Sequence, residues 1–252
     1  MKKLLIIFFL IPFISFAQKD SVASGVYKWS MPLGKMDKIS STILLEGKVH
    51  DFEWMQLTAN LLRSSKKIKQ TVPSNEEHLI IIKSGLTTIQ LGDSTFNLNP
   101  ASIAVLMPGQ NYLISSKGPC QFYIMKYRSK APVDLERLKT SGSSFVKLSD
   151  NIPYKPNNIG GGRKDYFERP TAMQKRFEIH VTTLKEGVRS HDPHTHRAEE
   201  IVLMINRGAE MQIGDKFYTG NEGDFFYLGS NILHAIKNVG TFPCMYFAIQ
   251  FE

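Results

Sequence analysis

Four pairs of segments recur in this 252-residue chain in the same order and at nearly constant spacing. "FEWMQLTANLL" from Phe52 parallels "FEIHVTTLKEG" from Phe177, and "EEHLIIIKSG" from Glu76 parallels "EEIVLMINRG" from Glu199. "IQLGDSTF" from Ile89 parallels "MQIGDKFY" from Met211, and "PCQFYIMKY" from Pro119 parallels "PCMYFAIQF" from Pro243. The offsets run from 122 to 125 residues. A chain of this length could hold one large β domain or two smaller ones, and four matches in register select a duplicated domain.

Each copy reads as β. Ile80–Ile82 and Ile201–Ile205 are short apolar runs, each closed by a glycine soon after, as expected of strands buried on both faces. Gly92-Asp93 and Gly214-Asp215 stand between strand-like segments and predict tight hairpins. The best helical candidate is "VDLERLKTSG" from Val133. Residues 129 to about 175, rich in Gly, Pro, Asn and Lys, read as the connection between copies plus an arm entering the second. Arg163, Lys164 and Arg169 lie in that arm beside glycines, where Arg163 and Arg169 could meet a substrate carboxylate.

The first seventeen residues, MKKLLIIFFLIPFISFA, carry two lysines, an apolar run too short to span a bilayer, and a small-residue cleavage point. They predict a signal peptide, so the mature chain is expected in the periplasm or secreted, with no membrane attachment after cleavage. Without the two leader lysines, 29 basic residues face 23 acidic ones, a net +6. That charge is scattered and forms no basic stripe with interleaved aromatics, which speaks against nucleic-acid binding. Cys120 and Cys244 hold equivalent positions in the last strand of each copy, and buried free thiols are expected over a disulfide.

The chemistry concentrates in "SHDPHTHRAEE", residues 190–200. Alternate residues of a strand share a face, so His194 and His196 project together and Glu200 can rejoin them. Two imidazoles and a carboxylate on one face suit a first-row metal ion. A fourth ligand is available in His234, which follows the turn Gly229-Ser230-Asn231. His191, at odd spacing and cut off by Pro193, is expected to face elsewhere, and Glu199 to be solvated or paired with a base such as Arg197. His180 alternates against Phe177, Ile179 and Val181 and is expected to face out if those line the core.

These motifs resemble the cupin superfamily. Its first motif maps onto Gly187, His194, His196, Glu200 and Gly208, and its second onto Gly223, Gly229, Asn231, His234 and Asn238. Gly229 stands in place of the motif's proline and Asn231 in place of its turn glycine. The resemblance implies an all-β fold of two tandem cupin barrels, each a double-stranded β-helix of the jelly-roll type. The expected division is residues 18–130 for a degenerate N-terminal barrel, 131–165 for linker and arm, and 166–252 for a metal-binding C-terminal barrel. His194, His196, Glu200 and His234 would hold one divalent transition metal, whether Fe, Mn, Ni, Cu or Zn. In the first copy, aligning Glu77 with Glu200 puts Thr71 and Pro73 at the histidine positions and Leu113 near the third, so no metal is expected there.

The overall plan is similar to that of (S)-ureidoglycine aminohydrolases, which are manganese enzymes. Their ligand order differs, with a glutamate where His194 stands and a glutamine in place of His234. The implied function is a metal-dependent enzyme acting on a small oxygen-rich molecule, with dioxygenase chemistry ranked ahead of isomerase or lyase chemistry on a sugar acid. The rival reading is a non-catalytic module that binds a metal or a sugar. A homodimer remains open.

Overall fold

β-branched and aromatic residues fill the apolar runs of this chain, and those runs fold as strands. The computed structural model describes residues 21–30, 39–63, 66–158 and 160–252. The expected leader, residues 1–17, lies outside them. In the first half the strands are β1 (Gly25–Tyr27), β2 (Ser40–Gly47), β3 (Phe52–Leu62), β4 (Lys67–Thr71), β5 (Glu77–Ser84), β6 (Thr87–Leu91), β7 (Ser94–Leu98), β8 (Ile103–Leu106), β9 (Asn111–Ser116) and β10 (Cys120–Ser129). Helix α1 (Leu135–Ser141) follows, capped by the Asp134 carboxylate, which accepts from the Arg137 N–H at 2.8 Å. The remaining strands are β11 (Phe145–Lys147), β12 (Lys155–Asn157), β13 (Gly161–Arg169), β14 (Phe177–Leu184), β15 (Glu199–Asn206), β16 (Ala209–Ile213), β17 (Lys216–Gly220), β18 (Phe225–Leu228), β19 (His234–Lys237) and β20 (Cys244–Phe251).

Among the described residues, these strands form four antiparallel sheets. A six-stranded sheet in the order β11-β8-β5-β10-β3-β2 accompanies a four-stranded one, β4-β9-β6-β7. A seven-stranded sheet, β1-β18-β15-β20-β14-β13-β12, accompanies a three-stranded one, β17-β16-β19. The same pairings recur: β3–β10–β5–β8 matches β14–β20–β15–β18, and β7–β6–β9 matches β17–β16–β19. The hairpins turn at Gly92 and Gly214, whose φ of 58° and 61° only glycine adopts readily.

Strand parity sorts the side chains of the described residues into three cores. Ile80 and Ile82 point into the core under the four-stranded sheet, together with Leu106, Ile114 and Phe122. Val202 and Met204 point into the equivalent core of the second half, with Met211, Ile236 and Tyr246. The opposite faces of the same strands, through Leu79, Ile81, Ile201 and Leu203, meet in a third core with Phe52, Tyr127, Phe177 and Phe251. The two large sheets are therefore covered on both faces, which explains their continuous apolar runs.

Residues 131–165 are more than a connection. β11 extends the first half's sheet through β8, while β1, from the chain's beginning, extends the second half's sheet through β18. The glycine-flanked arm is also regular: β13 pairs with β14 along its length, and β12 pairs with β13. Cys120 and Cys244 are both buried and free, as expected from their equivalent strand positions. No helix among the described residues is long and apolar enough to cross a membrane.

Candidate metal centre

Three elements bring the site together. An isolated bridge joins His194 to His234, with backbone hydrogen bonds of 3.1 and 3.0 Å in both directions. The Asn231 N–H donates to the His196 carbonyl at 2.8 Å, and Asn231 takes a φ of 59°, the left-handed turn that asparagine tolerates. Glu200 enters on β15 with its side chain on the inner face. Ligating atoms of His194, His196 and His234 all lie within 4.8 Å of one another, the one such group among the described residues.

The remaining ring nitrogens fix which atoms face the centre. Nδ1 of His196 donates to the Ala198 carbonyl at 2.8 Å, and Nδ1 of His234 to the Ile232 carbonyl at 2.8 Å. A neutral imidazole with its proton on Nδ1 leaves Nε2 as a bare lone pair. Both Nε2 atoms are buried without a hydrogen-bond partner. The Glu200 carboxylate stands 3.3 Å from one and 3.5 Å from the other. Lone pairs and an anion converging on one point are tolerable only around a positive charge, so this donor set fits a divalent cation.

The acid–base balance has the same cause. The Glu200 carboxylate beside it raises His196 above the ordinary imidazole value. Burial pushes Glu200 up, but contact with His196 and His234 outweighs it and holds the carboxyl at about 2. Burial and the neighbouring imidazoles lower His194. The centre draws in positive charge, as protons or as metal.

A cavity of about 240 Å³ opens beside these residues. It is lined by His194, Glu200 and His234 and also by His191, His180, Thr182, Ser190, Tyr246, Gln250 and Arg163. Three sequence expectations change here. His191 does sit in the preceding loop, but its ring packs 4.1 Å from that of His194 and faces the cavity. His180 does not face out: Phe177, Ile179 and Val181 fill the core between the large sheets, so its own face is the cavity interior. Glu199 is neither solvated nor paired with Arg197. It is fully buried and accepts from the His50 and Asp51 N–H groups at 2.8 and 2.9 Å and from the Tyr227 hydroxyl. Arg197 instead grips the Asp51 carboxylate at 2.7 and 2.8 Å.

The two arm arginines separate. Arg163 reaches the cavity rim, but its guanidinium is held by Asp165 and, at 2.5 Å, by Glu178. Arg169 stacks 4.0 Å over Phe145 and donates to the Ser143 carbonyl at 2.9 Å, away from the cavity.

Backbone register also corrects the reading of the first half. His78 pairs with Leu106 as Glu200 pairs with Leu228, and Leu91 pairs with Tyr112 as Ile213 pairs with His234. The Gly109 N–H donates to the Val72 carbonyl as Asn231 does to His196, and Gln70 lies opposite Tyr112 as His194 lies opposite His234. Gln70, Val72, His78 and Tyr112 therefore occupy the four ligand positions, rather than Thr71, Pro73, Glu77 and Leu113. Their polar groups satisfy one another: the Tyr112 hydroxyl donates to Gln70 Oε1 at 2.5 Å, and His78 meets Glu76 at 3.1 Å and Tyr112 at 3.3 Å. No donor set converges there on a common point.

This arrangement of antiparallel sheets has known counterparts. Residues 180–250 match the family model of the cupin domain. Cupins commonly bind a transition metal, and the histidine cluster lies inside the matched region. Among solved structures, the chain is similar in fold to AerE from Microcystis aeruginosa (14% identity, TM-score 0.66, covering 90% of this chain and 98% of that one). It is also similar to a cupin 2 conserved barrel domain protein from Leptotrichia buccalis (13%, 0.60, 87% and 92%). A third likeness is to the oxalate decarboxylase of Lactobacillus farciminis, solved with formate (10%, 0.60, 87% and 87%). At these identities the likeness is one of fold. No curated protein matches the chain.

Proposed function

We propose that the chain is an exported bicupin, two tandem barrels of which the second is a metal-dependent enzyme acting on a small oxygen-rich molecule. The observation carrying this reading is the pair of buried, unpartnered Nε2 atoms on His196 and His234, aimed with Glu200 at a point that borders the cavity. His194, His196, Glu200 and His234 are the proposed ligands, and three neutral imidazoles with one carboxylate leave an ion a net charge near +1. Such an ion would supply Lewis acidity toward a carbonyl or enediol oxygen. Dioxygenase chemistry ranks ahead of isomerase or lyase chemistry, and the size of the cavity suits a small substrate.

The test is anaerobic purification, metal identification, and comparison of native protein with His196→Ala on a panel of enediols, diketones and sugar acids. The substitution is expected to lower metal affinity at least ~100-fold and to abolish turnover, because it removes a direct ligand. Oxygen uptake separates a dioxygenase from an isomerase. Turnover unaffected by His196→Ala would remove the metal from the reaction. Saturable ligand binding without turnover would favour a non-catalytic binding module.

A further inference from the structure

Beyond the histidine cluster, the cavity contains a second titratable pair that the proposed metal centre does not use. His180 is about nine-tenths buried on β14, and its Nδ1 lies 3.0 Å from Glu178 Oε1. Its Nε2 has no protein partner among the described residues, and the residue lines the cavity wall. Hydrogen bonding to His180 holds Glu178 at about 2, helped by Arg163 and Arg176, so Glu178 stays an anion and its partner nitrogen carries the proton. The pair is thus oriented with a free lone pair facing the space where a substrate would lie.

Register places this pair on the same cavity wall as Glu200, two strands away. His180 lies opposite Ala248, which lies opposite Val202, two residues beyond Glu200. Two strand spacings and two residues put the His180 and Glu200 backbones roughly 12 Å apart. Both side chains line the cavity, so a molecule of a few heavy atoms lying over Ala248 of β20 would meet both. The surrounding charges are balanced. Arg163 on β13 is neutralised by Asp165 and Glu178, Asp165 also by Lys155 at 2.9 Å, and Arg176 by Glu168 and Glu178. From β20 the facing groups, Gln250 and Tyr246, carry no charge, and Thr182 and Ser190 supply neutral hydroxyls. Among the described lining residues, no cation other than the paired Arg163 faces the interior to favour a separate carboxylate.

We propose that His180, oriented by Glu178, is the proton acceptor for a hydroxyl of a small uncharged substrate bearing two adjacent oxygens, an enediol or catechol. The substrate O–H bond breaks with its electron pair left on oxygen, and an N–H bond forms at His180 Nε2. The imidazolium so formed is countered by the Glu178 carboxylate. This inference rests on the metal reading above.

The test uses cobalt(II)-loaded full-length mature protein and catechol at about pH 7.5. Calorimetry in two buffers of different ionisation enthalpy counts the protons released on binding. Native protein is expected to release about one proton fewer per catechol than His180→Ala or His180→Gln, because His180 keeps it. The cobalt spectrum should be unchanged in both variants, since His180 is not one of the four proposed ligands, and it reports that each variant is folded. On unsubstituted protein loaded with zinc, the ring nitrogen resonances of His180 should show a proton gained at Nε2 when catechol binds. Equal proton release with unchanged resonances, or no catechol binding to cobalt-loaded protein, overturns the proposal. Absence of a bound-cobalt spectrum in native protein overturns the metal reading beneath it.

Discussion

Each histidine of the cluster uses one ring nitrogen to hold its position or to face its neighbours, and the protonation state of the other follows from that bond. With Nδ1 of His196 and His234 donating to backbone carbonyls, protons and metal compete for the same Nε2 lone pairs. Glu200 stays ionised down to about 2, so acid acts first on the imidazoles. Bound metal is therefore expected to be complete near neutrality and to be lost as pH falls through roughly 6 to 5, followed by elemental analysis after gel filtration. Full retention at pH 4 would contradict this. Alternation in the sequence grouped His194 with His196, but in the structure both precede β15 and are held by the bridge to His234 and the Asn231 hydrogen bond, not by a strand face. It misplaced His180 because β14 is buried on both sides, so facing away from one core meant facing another interior.

Strands β5 and β15 each begin with a buried glutamate that ties the opposite half of the chain. Glu199 receives the N–H groups of His50 and Asp51, while Glu77 accepts from the Tyr127 and Thr171 hydroxyls at 2.7 and 2.8 Å and from the Met173 N–H at 3.2 Å. Glu199→Ala leaves two amides and the Tyr227 phenol without an acceptor, and is expected to cost about 2–4 kcal/mol in urea unfolding. A loss below about 0.5 kcal/mol would show that the loop finds other partners. These pairs also show why the first half was read one residue out of register. The sequence repeat around "EEHL" and "EEIV" fits at offsets of 122 and 123 almost equally well, yet a one-residue slip turns every side chain to the other face. Only the ladder partners show that Glu77 answers to Glu199 and His78 to Glu200. Likewise, glycines and charges hid the regular pairing of β13, whose partner is remote in sequence from neither end but whose alternation is weak.

Across the whole molecule, the large sheets share a core that neither half owns. Phe52 stacks on Phe251 at 4.9 Å and on Tyr127 at 4.6 Å, while Tyr127 meets Phe177 edge-on at 6.3 Å. The reciprocal edge strands β1 and β11 bind the halves further, and the Tyr123 hydroxyl donates to the Gly223 carbonyl at 2.8 Å as Tyr166 does to Ala101. The motif glycine at 223 thus serves this junction as well as its turn: its φ is 86°, and a Cβ there would meet Trp29 at 3.1 Å. The two halves are expected to unfold as one unit, with tryptophan fluorescence from Trp29 and Trp54 and cobalt absorption from the second half lost at the same denaturant concentration. Two separated midpoints would show the halves to be independent. The sequence by itself determined the repeated segments, the strands and hairpins, and the grouping of His194, His196, Glu200 and His234, because these follow from local periodicity and from motifs. The tertiary structure alone decided what lies behind each strand: the shared core, the exchanged edge strands, buried Glu199, and His180 facing the cavity. The physical reason is that a strand buried on both faces carries no mark in its own residues of which core each face will meet.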